Sequence, residues 1–307
     1  MPIGMVFTLV AAWAGVESVR PEAIDPDHHH RRGQLQERIA ENPGRPVAVV
    51  IGSSRVALGF APESLPNPAS PVLWFNLAHF GSGPVMNHVV LSRLIDSGIR
   101  PDVVVFEVMP VFYVSESYSF LANFVTWRDL LSLHHRTSPF ELDWCYVRSR
   151  ATRVRDLLRA ADPYEGARSQ QPFGGPPISI ESVTDEDRKA KIGVQFEALG
   201  RAAGAMEIRS EAIGALAGAL NLCRAEGITP VLVFTPEGRE FRKFYDPIGL
   251  AQFEEQVAEV ARQHETRVID ARDWLHESDF MDSHHTLLRG TKKFTERLVA
   301  EVGFGSR

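Results

Sequence analysis

The chain has 307 residues, 33 basic and 39 acidic side chains and a formal charge of −6, with 44% apolar and 23% charged residues. This composition excludes a disordered or low-complexity chain and is sufficient for a large buried core. It lacks the basic surplus that binding to a nucleic-acid phosphate backbone requires. Two cysteines, Cys145 and Cys223, are too few for a disulfide framework or a cysteine-rich zinc site.

From Ile3 to Val16 the chain runs fourteen residues without a charge, short of the roughly 20 that span a bilayer. Ala12-Trp13-Ala14 resembles a signal-peptidase site, yet no Lys or Arg precedes it. Two readings stand: a membrane-targeting segment or anchor remnant, which implies an extracytoplasmic protein, and a buried N-terminal helix. Residues 17–45, with Pro21, Pro26, His28-His29-His30-Arg31-Arg32 and Pro43, read as a polar tether. The histidine triplet has no carboxylate at ligand spacing and reads as a solvated stretch rather than a metal site. The expected organisation is therefore an apolar segment and tether over 1–45, followed by a folded domain over 46–307.

In that domain, five short runs rich in β-branched residues stand out: Pro46 to Ile51, Pro71 to Asn76, Asp102 to Met109, Ile228 to Phe234 and Arg267 to Asp270. Near-continuous hydrophobicity over strand length, interrupted by helical patterns, indicates strands covered on both faces by crossover helices. Val85, Met86, Val89, Val90, Leu94 and Ile95 recur at helical spacing and stop at Gly98, a C-terminal capping glycine. Ala212 to Ala225, ending in Gly227, and Phe253 to Ala261 repeat the pattern, and a last amphipathic helix is expected over Arg289 to Val302. The fold class that follows is α/β: a three-layer sandwich around a mainly parallel five-stranded sheet. Residues 111–205 break this rhythm with aromatic and basic stretches, Phe112 to Trp127 and Arg148 to Arg159, and a loop near Pro172 to Pro177. They read as an insertion that forms a lid or a partner surface.

Chemistry-bearing residues cluster at the strand ends. In an open α/β sheet, ligands bind beyond the carboxyl ends of the strands, and the first strand runs directly into Gly52-Ser53-Ser54-Arg55. Near the other terminus stands Asp282-Ser283-His284-His285, with Gly290 opening the last helix. A serine nucleophile needs an imidazole as general base, and the imidazole needs an acceptor that fixes its tautomer. Each segment alone also fits a tight turn or a helix cap. The first strand lacks the Gly-x-Gly-x-x-Gly turn of dinucleotide-binding proteins.

Together these segments resemble the SGNH, or GDSL-like, hydrolase superfamily, whose fold is a flavodoxin-like α/β sandwich. Gly52-Ser53-Ser54 is similar to the family's Gly-Asp-Ser block, with Ser in the place of Asp, which makes Ser54 the nucleophile by resemblance. Asp282, His285 and Gly290 match its Asp-x-x-His block and the following glycine, a spacing that selects His285 over His284. Phe75-Asn76 through Gly81 resembles the second block, whose glycine donates a backbone N–H to the oxyanion. Gly81 and the Ser54 N–H are therefore the implied donors. The third block departs: the family reads Gly-x-Asn-Asp after the third strand, where this chain has Glu107-Val108-Met109-Pro110. A missing oxyanion donor costs on the order of 10² to 10³ in rate. Arg55 and Asn123 are the candidate substitutes, and the Pro-aromatic sequence is more similar to the family's cell-envelope acyl-transfer branch.

Arg55, Asn76, Glu237 and Arg239 are candidate substrate-binding residues, since Arg offers a planar fork to carboxylate or phosphate. Glu107 reads either as a buried acid of altered pKa or as the partner of an arginine. The expected function is a serine-dependent acyl-ester hydrolase or acyltransferase, bacterial and envelope-associated by resemblance. Its substrate would be an O-acylated small molecule or glycan, with a membrane acyl-transfer partner as a further option and no metal or organic cofactor. The alternative is a non-catalytic module of the same fold in envelope or exopolysaccharide assembly.

Overall fold

The computed structural model describes residues 3–65, 71–134, 140–152, 173–175 and 180–303. Five strands, β1 (Val47–Ile51), β2 (Leu73–Asn76), β3 (Val103–Glu107), β4 (Thr229–Phe234) and β5 (Arg267–Asp270), form one sheet in the order β2-β1-β3-β4-β5. Every pairing is parallel, with Val49 opposite Phe75 and Val104, and Leu232 opposite Phe106 and Val268. This is the flavodoxin-like strand order, whose switch point lies between β1 and β3.

Alternation along the strands divides the core in two. Val49, Ile51, Val104, Phe106 and Leu232 face one layer, with helices α4 (Pro84–Asp96), α11 (Ser210–Glu226) and α13 (Pro247–Gln263). Ala48, Val50, Val103, Val105, Val231 and Val233 face the other, covered by α3 (Ser54–Gly59) and by Phe294, Leu298 and Val302 of α14 (Leu288–Val302). Gly98 and Gly227 end α4 and α11 at φ +82° and +70°, where a side chain would be strained. The fifth run is a correction in kind: only Ile269 of β5 is buried, because an edge strand is covered on fewer sides.

The stretch between β3 and α11 holds α5 (Pro110–Ser115), α6 (Tyr118–Leu121), α7 (Trp127–His134), α8 (Phe140–Thr152), α9 (Asp185–Gln195) and α10 (Arg201–Ala205). Of the loop expected over Pro172 to Pro177, only Phe173 to Gly175 are described. There Gly174 bridges Asn76 in the parallel sense and Asn76 N–H donates to Phe173 O at 2.9 Å, extending the sheet beyond β2. The rest of that loop and residues 153–159 of the basic stretch lie outside the described residues.

Residues 17–45 are not a tether. Pro26 opens helix α2 (Pro26–Glu41), and Asp25 caps it by accepting His28 N–H at 3.2 Å. Leu35 is fully buried in the main core. Asp25 also receives Arg93 Nη1 at 2.7 Å, and Arg31 donates to Ala78 O in the loop after β2. Helix α1 (Ile3–Val19) packs against α8 through Trp13 and Glu17. Glu17 accepts Arg150 Nε at 2.6 Å, Tyr146 OH at 2.9 Å and Trp127 N–H at 2.8 Å. The Arg150 guanidinium lies over the Trp13 and Tyr146 rings, 5.4 and 4.6 Å from their centroids. Ala11, Ala12 and Val19 remain exposed, and no helix among the described residues is long and apolar enough to cross a membrane. Glu17→Ala leaves the Arg150 charge buried without its acid, and a loss of about 3 to 5 kcal/mol in unfolding free energy is expected from denaturant titration.

Candidate active site

The turn after β1, which carries Ser54, is built by close approach. Gly52 follows β1, and a Cβ there would lie 2.6 Å from the Glu107 Cβ, so only glycine lets β1 and β3 meet at this level. Ser53 then caps α3, its Oγ accepting Arg55 N–H at 3.2 Å, and Ser54 is the first helical residue. Glu107 holds this turn from the neighbouring strand, accepting Ser53 N–H at 2.5 Å and Thr235 Oγ1–H at 2.9 Å.

The histidine loop lies between β5 and α14. An antiparallel bridge between Phe280 and Thr286 narrows it, and Ser283 takes φ +70° at its tip. Ser283 O accepts Gly238 N–H at 2.6 Å and its Oγ accepts Phe241 N–H at 3.0 Å, so the segment after β4 fixes the strained residue. Gly290 is required for packing, because a Cβ would meet Asp279 O at 2.6 Å. Thr291 Oγ1 donates to Leu58 O at 2.9 Å and contacts Thr286 Oγ1 at 2.7 Å, tying the loop to the helix that begins at Ser54.

These constraints bring together residues 231 positions apart. Ser54 Oγ lies 2.7 Å from His285 Nε2, and His285 Nδ1 lies 2.7 Å from Asp282 Oδ2. Asp282 Oδ1 also accepts His285 N–H at 2.7 Å. Burial raises the Asp282 pKa, but the bond from His285 and the nearby imidazoles of His284 and His285 outweigh it and hold the carboxyl at about 2. Its contribution to stability is complete above the usual 3.8 and is lost as pH falls through about 2. Asp282→Asn is expected to flatten the acid limb of the stability curve between these values by about 2 kcal/mol, read from denaturation midpoints against pH.

Gly81 sits in the loop beyond β2 at φ +70°, with the Phe120 ring so close that a Cβ would lie 2.9 Å from Cε1. The loop is pinned to the nucleophile turn on both sides of Gly81: His79 N–H and Ser82 Oγ–H both donate to Gly52 O, at 2.8 and 2.6 Å. Glu116 accepts the N–H groups of Gly83, Val85 and Met86 at 2.8 to 3.1 Å, capping α4 from outside the helix. Burial pushes its carboxyl up to about 7 despite these donors.

Arg55, Glu237, Asn76 and Asn123 are engaged by other groups of the protein. Arg55 and Glu237 are 3% and 2% exposed and are paired at 2.9 Å. Arg55 Nη2 donates to Thr235 O and Pro236 O at 2.9 and 3.0 Å, and Nε lies 3.5 Å from Glu107 Oε1. Tyr245 OH completes the cluster on Glu237 at 2.9 Å. The pair is thus enclosed within the protein, and Glu107 is an arginine partner. Asn76 is fully buried, its Nδ2 donating to Phe60 O and Val56 O at 2.6 and 3.0 Å, where α3 runs out of its own donors. Asn123 donates to Ser119 O and Phe120 O at 3.1 Å and so closes its own turn. Arg239 begins a four-residue helix, α12 (Arg239–Arg242), with its side chain exposed and its N–H on Glu277 Oε2 at 2.6 Å.

Three contacts had no signal in the sequence. Gln195 of α9 donates to Asp282 Oδ2 at 3.4 Å, Arg188 of the same helix donates to Phe280 O at 3.1 Å, and Leu288 N–H donates to Ile180 O at 3.0 Å. The region between β3 and α11 therefore reaches Asp282. His284 lies against the Phe241 ring at 4.5 Å, and burial lowers its pKa well below the ordinary range. Among the described residues, Asp282, His284 and His285 form the group of side chains suited to hold a metal ion.

No family model matches the chain, and no curated protein matches it. Among solved structures it is similar to TesA, at 13% identity and a TM-score of 0.39, covering 82% of this chain and 95% of that one. It is similar to a GDSL-like lipase from Bacteroides thetaiotaomicron, at 9% identity and a TM-score of 0.40 over 89% and 99% of the two chains. The third is a catalytic mutant of Axe2, an acetylxylan esterase from Geobacillus stearothermophilus, at 11% identity and a TM-score of 0.41 over 85% and 97%. The chain is an α/β protein with a five-stranded all-parallel sheet of flavodoxin-like order, the fold that its resemblance to SGNH hydrolases implies.

Proposed function

We propose that this chain is a serine-dependent acyl-ester enzyme of the SGNH kind. The observation that carries the reading is the contiguous relay of Ser54 Oγ, His285 and Asp282, with both links at 2.7 Å. A non-catalytic module has no need of a buried acid aligned on a histidine that in turn faces a hydroxyl at the carboxyl end of a strand.

In this mechanism His285 Nε2 takes the Ser54 proton as Oγ attacks the ester carbonyl, and Asp282 stabilises the imidazolium from Nδ1. Backbone N–H groups of Ser54 and Gly81 hold the oxyanion. His285 returns the proton to the leaving alcohol. The acyl-enzyme then passes its acyl group to water or to an acceptor hydroxyl, with His285 as base again. Arg55 and Asn123 being engaged elsewhere, the two backbone donors carry the oxyanion. We assign the substrate to the O-acylated carbohydrates of the cell envelope, with transfer to a sugar hydroxyl as the alternative to hydrolysis. Support for this comes from the resemblance of the segment after β3 to the envelope acyl-transfer branch and from the exposed apolar side of α1.

The test is covalent labelling of the full chain, including residues 1–45, by a fluorophosphonate probe, read by intact mass. One adduct on the parent and none on Ser54→Ala or His285→Ala is expected. A folded parent that takes no label overturns the reading.

A further inference from the structure

The histidine loop carries a second imidazole that the proposed mechanism does not use. His284 is buried, its ring centroid is 3.9 Å from that of His285, and its Nδ1 faces Asp282 Oδ1 at 3.4 Å without forming a hydrogen bond. A buried polar nitrogen aimed at a carboxylate and left unbonded is costly unless something else uses it. Asp282, His284 and His285 each present a ligand atom, and these lie within 4.8 Å of one another.

Two imidazoles and one carboxylate form a donor set that suits zinc. A tetrahedral zinc with ligands at about 2.0 to 2.1 Å separates neighbouring donor atoms by about 3.3 Å. Asp282 faces both imidazoles, Oδ1 lying 3.4 Å from His284 Nδ1, close to that value, and Oδ2 2.7 Å from His285 Nδ1 in a hydrogen bond that a bound ion would replace. All three ligand residues belong to one four-residue loop, Asp282 to His285. His285 is the least buried of the three, and Asp282 is met by Gln195 of α9, a helix with no buried residue of its own.

We infer that Asp282, His284 and His285 form a divalent-cation site of zinc type, and that occupancy switches the triad off. The chemistry of inhibition is a tautomer change. When neutral His285 gives its Nδ1 lone pair to the metal, the proton held on Nδ1 moves to Nε2, with no net gain or loss. Nε2 is the atom that must accept the Ser54 proton, so the base is gone, and Asp282 is drawn to the metal. The inhibitory half of this inference rests on the proposed function, whereas the binding half does not.

Zinc is titrated into the full chain and into Ser54→Ala, His284→Phe and Asp282→Asn, with a competing chromophoric chelator as the readout. Fluorophosphonate labelling of the parent is followed with and without zinc. The expected result is one zinc per chain in the parent and in Ser54→Ala, with affinity lower by about 10-fold or more in the other two variants. Labelling should slow by a similar factor and recover on adding chelator. His284→Gln replaces His284→Phe if circular dichroism shows that the latter is unfolded. Equal affinity across parent and variants, or bound zinc that leaves labelling unchanged, overturns the inference. Zinc uptake that depends on His284 in a parent that never labels would refute the esterase reading and keep the site, and labelling without zinc uptake would do the reverse.

Discussion

His285→Ala is expected to lower kcat for a simple ester such as p-nitrophenyl acetate by a factor on the order of 10⁶, with KM little changed. Ser54→Ala should give the same loss and the double variant no more, as expected of a nucleophile and base that act as one unit across the 2.7 Å contact. Asp282→Asn should cost less, about 10⁴, since it would misplace the tautomer of His285 while leaving the attacking pair in place. This ordering separates a working relay from a chance alignment. An Asp282→Asn variant as active as the parent, or single losses that multiply in the double variant, would show that the three residues do not work together.

A second large effect is expected where no substrate is touched. Arg55→Met strands Glu237 and Glu107, buried carboxylates that the guanidinium meets at 2.9 and 3.5 Å. Removing one member of a buried charge cluster costs about 3 to 5 kcal/mol, measured as a shift in denaturant midpoint. Labelling should also slow, because the Glu107 oxygen that receives Ser53 N–H fixes the turn from which Ser54 projects. Arg55→Lys should rescue little: an ammonium cannot reach Glu237, Thr235 O and Pro236 O together as the planar fork does. Arg55→Met/Glu237→Leu should recover part of the loss by removing the stranded acid along with its partner. A midpoint shift worth less than about 1 kcal/mol in Arg55→Met would place these charges in far better solvation than their burial implies.

The sheet was legible because a parallel strand is a short apolar run whatever its neighbours are. Gly98 and Gly227 marked helix ends for an equally local reason. Asp282 and His285 could be paired from spacing because both lie in one loop, whereas for Ser54, 231 positions away, the end of the first strand gave only a position and the link to His285 rested on resemblance to a known block. Arg55 misled for the opposite reason. An arginine at a strand end looks like a ligand clamp until Glu237, 182 residues on, is seen to engage it. Residues 17–45 carried a readable start signal, Asp25-Pro26, but their polar composition concealed it. What buries Asp25, Arg31 and Leu35 comes from Arg93, Ala78 and the core, none of which is nearby in sequence.

The Glu17–Arg150 pair also has a consequence for the order in which the chain can fold. The two residues are 133 positions apart, so at a synthesis rate of about 5 to 20 residues per second the first helix waits roughly 7 to 27 s for its partner to be made. Throughout that interval the apolar segment lacks the surface that buries Trp13, and Glu17 is still in water. Its apolar side is then available to any other surface that takes up such helices. Synthesis of Arg150 ends that competition, because desolvating the carboxylate becomes favourable only once a guanidinium and the Tyr146 hydroxyl can meet it.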